Sequence, residues 1–181
     1  MFNQKWEKID SKVIHKNPWY ELVQDDVLMP SGQQGKYTYV NRHEAAVIIP
    51  MTDNNEIYLI KQYRYPVQEF TWEFPAGSKS LEPETIEQVA KRELLEEVGL
   101  SANQWDYLGE LFYAAGTSNQ RAKIFLARGL EKQNATPDLT EFISFKTVSM
   151  IELEEMINKN EFKEGADVAA FYLLKKFLTL K

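Results

Sequence analysis

Arg92-Glu93-Leu94-Leu95-Glu96-Glu97-Val98-Gly99-Leu100, with Gly77 and Glu84 upstream, puts acid where a helix would normally carry core residues. At 3.6 residues per turn, Glu93 and Glu97 share a face with Ile86, Val89 and Ala90, and Glu96 lies on an adjoining stripe. Carboxylates turned inward stay anionic only if something positive binds among them. Hard oxygen donors suit a hard divalent cation, so Mg²⁺ is the natural partner, with Mn²⁺ as its substitute. The bland alternative is a solvated acidic face paired with Lys91 and Arg92. An Arg92 to Glu96 pair at i, i+4 contributes only about 0.2–0.5 kcal/mol and leaves the inward phase unexplained.

Working outward, the spacing predicts a helix from about Pro83 to Val98. Proline suits a first turn, Glu82, Glu84 and Glu87 suit the positive end, and Gly99 suits the carboxyl cap. Before it, Lys12 to His15, Tyr20 to Val27 and Lys36 to Val40 read as strands, with a turn at Pro30-Ser31-Gly32. Ala45 to Ile49 and Ile57 to Gln62 are apolar runs joined by Thr52-Asp53-Asn54-Asn55, a hairpin signal. Phe70 to Phe74 is a further strand that Pro75-Ala76-Gly77 breaks. Strands near Tyr107 to Tyr113, Arg121 to Ala127 and Ile143 to Val148 follow, then helices near Ile151 to Asn158 and Asp167 to Leu178. The fold class this implies is α+β, a mixed β-sheet between helical layers (α/β/α) with an amino-terminal antiparallel sheet.

At 181 residues and 44% hydrophobic content the chain suffices for one domain with a small appendage. Zero cysteines exclude a disulfide framework, a thiol nucleophile and a cysteine zinc site. No apolar stretch reaches the roughly 18 residues that a membrane-spanning helix needs. The amino terminus, Met1-Phe2-Asn3-Gln4-Lys5-Trp6, carries no apolar signal core, so a cytoplasmic protein is expected. A net charge of -6 argues against nucleic acid as a partner. A small anionic substrate remains compatible, because bound cations and a few arginines reverse the local field. His15 and His43 are isolated and read as structural or exposed.

The box resembles that of the Nudix hydrolases, read as Gly, five residues, Glu, seven residues, Arg-Glu-(aliphatic)-x-Glu-Glu-x-Gly-(aliphatic). Gly77, Glu84, Arg92, Glu93, Leu94, Glu96, Glu97, Gly99 and Leu100 match it. One spacing departs: six residues, Ser78 to Pro83, separate Gly77 from Glu84, a loop insertion that leaves the helix in place. Ile57 to Pro66, ending Gln62-Tyr63-Arg64-Tyr65-Pro66, and Trp72-Glu73-Phe74-Pro75-Ala76-Gly77 resemble the ADP-ribose pyrophosphatase and nucleoside-diphosphate-sugar hydrolase branch.

The resemblance implies that Glu93, Glu96 and Glu97 are the metal ligands, joined by the carbonyl of Ala76, while Arg92 and Glu84 orient the glutamates. It implies that Arg64 reaches the substrate phosphates by bidentate hydrogen bonds and that Glu73 contacts the sugar or a water. The alternative for Arg64 is a surface strand arginine. Glu141, in Thr140-Glu141-Phe142-Ile143, is the matching general base, with Glu93 as the alternative. In Phe112 to Ser118 the branch commonly carries proline where this chain has Ala115, which widens the substrate from ADP-ribose to other nucleotide sugars.

Trp19 or Tyr20 would stack on the base, with Trp72 and Tyr63 also available, although most aromatics are simply core. The implied organisation is residues 1–42 as an amino-terminal sheet for dimerisation and substrate cover, and 43–181 as the Nudix domain, in a homodimer. The expected activity is Mg²⁺-dependent hydrolysis of a nucleoside diphosphate sugar to a nucleoside monophosphate and a sugar phosphate. The alternatives are a Nudix hydrolase of dinucleoside polyphosphates or capped RNA, and a module that senses nucleotide sugars without cleaving them.

Overall fold

A computed structural model describes residues 5–79, 83–133 and 144–180. The elements run β1 (Glu7–Lys16), β2 (Glu21–Leu28), β3 (Gln34–Asn41), β4 (Ala45–Pro50), β5 (Glu56–Arg64), β6 (Glu69–Glu73), β7 (Ala76–Ser78), α1 (Ile86–Val98), β8 (Leu100–Phe112), β9 (Arg121–Lys132), β10 (Ser144–Ser149), α2 (Met150–Asn158) and α3 (Gly165–Thr179). They fall into two units. One holds the residues up to His43 with Phe112–Gln120, and the other Glu44–Leu111 with Arg121–Lys181.

In the first unit β1, β2 and β3 form an antiparallel meander in that order. Val23 and Val27 are its buried side chains. The turn expected at Pro30-Ser31-Gly32 forms, with Gly32 at φ 80 and the Met29 N–H donating to Gln33 O at 2.8 Å. Phe112–Gln120 joins this unit although it is distant in sequence. The Val40 N–H donates to Thr117 O at 2.8 Å, Tyr37 Oη to Gly116 O at 2.7 Å, and the Arg42 N–H to Asn119 Oδ1 at 3.0 Å.

In the second unit every residue of β4 is buried, as a strand covered on both faces must be. It runs parallel to β9 and antiparallel to β7, in a four-stranded sheet of order β7-β4-β9-β8. Alternation sorts the side chains. Ala46, Ile48, Phe125 and Ala127 pack with Val89, Ala90, Leu94 and Val98 of α1. Val47, Ile49, Ile124 and Leu126 point the other way, to the side on which α3 contacts β9 and buries Ala170, Phe171 and Leu174. This is the expected mixed sheet between helices. Beside it stands a second, antiparallel sheet of order β10-β5-β6.

Four local expectations are corrected. The turn at Thr52-Asp53-Asn54-Asn55 forms, with Asn55 at φ 59 and the Thr52 N–H donating to Glu56 O at 2.8 Å. No hairpin follows, because pairing stops at the Met51 to Ile57 bridge and β5 enters the other sheet. Both edges of β4 are already taken by β7 and β9. Pro75-Ala76-Gly77, read as the break that ends the preceding strand, leads directly into a short strand, Ala76–Ser78, that pairs with β4. The central helix starts at Ile86 rather than Pro83, because Thr85 caps it. Finally, β8 begins at Leu100, well before Tyr107. Gly99 at φ 71 ends the helix and turns the chain directly into the strand.

Candidate active site

Thr85 and Gln88 form a reciprocal capping box. The Gln88 N–H donates to Thr85 Oγ1 at 3.2 Å and the Thr85 N–H to Gln88 Oε1 at 2.8 Å. That fixes the start of α1 and therefore the phase of all that follows. The buried stripe is Val89, Ala90, Leu94 and Val98. Glu93 and Glu97 flank it and are partly buried, whereas Glu96 is exposed. The acids thus line the edge of the core face rather than its centre.

One arginine gathers them. Arg92 Nε donates to Glu84 Oε1 at 3.1 Å, and Arg92 Nη1 donates to Glu93 Oε1 at 2.7 Å and to Glu96 Oε2 at 2.9 Å. Burial alone would lower the proton affinity of Arg92, but its bonds to Glu84, Glu96 and Glu93 and the charge of Glu93 outweigh it, and the net shift is upward. The guanidinium is a permanent cation at the centre of the acids.

The strand β7 meets the same carboxylates from the other side. The Ala76 N–H donates to Glu97 Oε2 at 2.9 Å. Gly77 lies so close to Glu93 that a Cβ there would sit 1.9 Å from Oε1 and 2.0 Å from Cδ. Only glycine leaves room for the carboxylate. Among the described residues, no group of three or more His, Cys, Asp or Glu side chains is gathered as a ready metal cage. The acids instead converge on Arg92 and on the backbone of β7. Their chemistry nonetheless fits a hard cation: carboxylate oxygens one helical turn apart, beside a glycine cradle kept open by the backbone.

The structure brings Arg64 and Glu73 together. Arg64 Nε donates to Glu73 Oε1 at 2.8 Å and to Oε2 at 3.1 Å, and Nη2 makes a further ion pair with Oε2. Thr71 Oγ1 donates to the same Glu73 carboxylate. Glu73 is buried, while the Arg64 side chain is 44% exposed. The bond to Glu73 raises the proton affinity of Arg64 against the effect of burial, and the charges of Glu97 and Asp167 add to it. The clasp and the box helix therefore share one electrostatic neighbourhood.

The remaining expected residues are placed as follows. Trp19 and Tyr20 belong to the first unit, at the turn between β1 and β2, where both of their N–H groups donate to Asn17 Oδ1 at 2.9 Å. Trp19 is 70% exposed and Tyr20 is 38% exposed. Ala115 is on the segment that pairs with β3. Tyr63 packs on Phe70, and the ammonium groups of Lys61 and Lys146 lie 5.4 and 4.9 Å from the centroid of the Trp72 ring. Glu141 lies outside the described residues.

One residue of this neighbourhood was not anticipated. Asp167, in the first turn of α3, is buried and accepts the Phe74 N–H through Oδ2 at 3.1 Å. Burial, with the charges of Glu164 and Glu73, pushes its carboxyl well above the ordinary range, and the Phe74 N–H and Arg64 only partly offset this. The sequence carried a signal for it: Asp167 is in helical phase with Ala170, Phe171 and Leu174, the buried face.

A mixed sheet covered by helices, with an arginine-gathered acidic helix against a glycine strand, defines a class of site rather than a single protein. Residues 41–170 match the NUDIX domain, and residues 6–40 match the nucleoside diphosphate sugar hydrolase N-terminal domain. The chain belongs to the Nudix hydrolase family. An ADP-ribose pyrophosphatase of Mycobacterium tuberculosis (strain ATCC 25618 / H37Rv) is 36% identical over 132 residues, a match spanning 73% of this chain and 64% of the relative. A methanol dehydrogenase activator of Bacillus methanolicus is 30% identical over 183 residues, covering 100% of this chain and 97% of the relative. An ADP-ribose pyrophosphatase of Bacillus subtilis (strain 168) is 30% identical over 180 residues, covering 97% and 96%. A crystal structure of an ADP compounds hydrolase superposes with a TM-score of 0.86 at 23% identity, over 97% of this chain and 95% of the other, which establishes the fold. Among the described residues no helix is long and apolar enough to cross a membrane.

Proposed function

We propose that this chain hydrolyses the diphosphate of a nucleoside diphosphate sugar, ADP-ribose or a similar compound, to a nucleoside monophosphate and a sugar phosphate. The observation that carries the reading is that Glu93 and Glu96 meet at Arg92 while Glu93 and Glu97 meet the Ala76-Gly77 backbone. These three glutamates, with the Ala76 carbonyl, would hold a divalent cation, Mg²⁺ or Mn²⁺. When bound, that ion neutralises phosphate oxygens and acidifies a water.

The chain's own groups do the rest. Arg92, pinned by Glu84, keeps the acids together as one cluster. Arg64 uses Nε and Nη2 on Glu73, so its Nη1 edge is the one that meets a phosphate oxygen. The oxygen of water attacks one phosphorus, the bond from that phosphorus to the bridging oxygen breaks, and the proton of water passes to Glu141 or to Glu93. Trp19 or Tyr20 stacks on the base. Two copies associate through the amino-terminal sheet, residues 1–42, which covers the site of the catalytic domain, residues 43–181. We place the protein in the cytoplasm, with no nucleic-acid partner.

The test is turnover of ADP-ribose, GDP-mannose, UDP-glucose and a diadenosine polyphosphate, with Mg²⁺ and with chelator. Metal-dependent release of a nucleoside monophosphate from a nucleotide sugar is the expected result. Cleavage of the dinucleotide alone, or binding of nucleotide sugars with no turnover, overturns the reading.

A further inference from the structure

We infer that Asp167 is a positioning residue for the site, and the inference rests on the reading given above. Its carboxyl group takes the Phe74 N–H, and the next N–H along the segment, that of Ala76 beyond the donor-less Pro75, goes to Glu97. The stretch Glu73–Ala76 is therefore strung between two helices by two carboxyl groups, one from α3 and one from α1. At one end of it Glu73 holds Arg64, and at the other Ala76 meets the acidic box.

The approach to α3 grips the same strand in other ways. Phe162 packs edge-on against Phe74 with ring centroids 5.1 Å apart, and Lys163 pairs with Glu69 at the start of β6. Glu164 caps α3 by accepting the N–H groups of Ala166 and Asp167. The ring contact and the exposed ion pair locate the helix against the strand. Glu73 is also paired with Ile60, and Pro75 O accepts the Ile48 N–H at 2.8 Å; the Asp167 bond holds the Phe74 N–H between these two points and so completes the hold on the stretch that carries Glu73 and Ala76.

What the Phe74 N–H needs at this place is an acceptor oxygen, and the buried Asp167 side chain supplies it. An amide can do the same. An apolar side chain of similar size cannot.

The experiment compares Asp167→Asn and Asp167→Leu with Leu153→Ala, a substitution that opens a cavity at a buried position of α2, outside Glu73–Ala76 in the chain. Hydrolysis is read as kcat and KM separately, and amide hydrogen exchange is followed at Phe74 and Ala76. Asp167→Asn is expected to keep kcat within about twofold and to retain slow exchange at both amides, since its side-chain oxygen still accepts. Asp167→Leu is expected to lose about 10- to 100-fold, mainly in kcat, the scale on which supporting residues of a site act. It should also show fast exchange at Phe74 and Ala76. Leu153→Ala should lose stability and keep kcat.

Retention of kcat within twofold in folded Asp167→Leu overturns the inference. So does an equal loss in Leu153→Ala, which would reduce the effect to stability, or an equal loss in Asp167→Asn. If the unaltered protein cleaves no nucleotide sugar, the reading of the site fails. The exchange comparison still decides whether Asp167 holds Phe74 and Ala76.

Discussion

Two arginines in the second unit meet carboxylates in opposite ways. Arg92 is one cation shared by Glu84, Glu93 and Glu96, on a helix whose acids outnumber it. Arg64 is one cation on one buried acid, Glu73, which takes two of its nitrogens along a single edge. The first arrangement gathers negative charge that a further cation can share. The second orients a positive edge outward. A diphosphate needs both, a place to have its charge neutralised and a fixed donor to set its position.

The comparison breaks most severely at Glu97. Glutamine there keeps the shape and an oxygen for the Ala76 N–H, so the fold should stand. Hydrolysis should fall by about 10³-fold, the upper scale for removing one charge-stabilising group from a site. Measuring kcat at saturating Mg²⁺ checks this, and a residual rate above a tenth of normal would remove Glu97 from the proposed ligands.

Gly77→Ala attacks the same acids from the strand. Its Cβ would meet Glu93 Cγ at 2.6 Å and Oε1 at 1.9 Å, so the side chain of Glu93 must swing away from Arg92. The moving atoms are the far end of a flexible side chain, and the thermal midpoint should change little. Activity should drop by about 10- to 100-fold, as when a ligand loses its orientation. A protein with normal turnover would show that the position of Glu93 is unimportant.

Glu73→Gln tests the second arginine. The amide offers Arg64 one oxygen instead of two and no charge. KM should rise by roughly tenfold, from a charge-assisted bond contributing about 1.5 kcal/mol to the placement of the arginine. Glu84→Gln is its counterpart in the box. Arg92 keeps Glu93 and Glu96 there, so KM should change by less than about twofold. Equal effects of the two would erase the distinction between the clusters.

The difference between the regions also separates what sequence could and could not show. The box helix is local: apolar phase and acid spacing lie within one stretch, and its end at Gly99 was legible, whereas Glu93 and Glu97, read as sharing the core face, lie at its edge. The Arg64 clasp depends on the register of β5 and β6, which pairs Ile60 with Glu73 and Arg64 with Glu69. No local pattern fixes that register, so the pairing of Arg64 with Glu73 was not legible. The division of the strands between two sheets was hidden for a similar reason. A turn signal at Thr52 to Asn55 is local, whereas occupancy of both edges of β4 is not. β7 is only three residues long and follows a proline, which a reader of sequence treats as an interruption. Asp167 was visible only as the start of the last expected helix, because its contact lies across the fold at Phe74.

The smallest effect is in the pH dependence of stability, and it concerns Asp167. Its folded carboxyl holds a proton well above the ordinary value of 3.8, chiefly because burial penalises the charge. The unfolded chain releases that proton as pH passes 3.8, so between there and the raised folded value the native state binds more protons. Stability from this group is fully present below 3.8 and is lost as pH rises through the folded value. Asparagine does not titrate. Asp167→Asn should therefore gain on the unaltered protein as pH rises from about 4 toward neutrality, the ordinary carboxyl titrating near 3.9. The surface acids Glu21 and Glu110, whose proton affinities are lowered by their lysine partners, slope the opposite way but equally in both proteins. They cancel in the difference. Thermal midpoints measured in parallel across that range should diverge by a few degrees, since about 1 kcal/mol moves a domain of this size by about 2–4 °C. Parallel curves would mean that Asp167 ionises in place and that its surroundings, Arg64 among them, stabilise the anion.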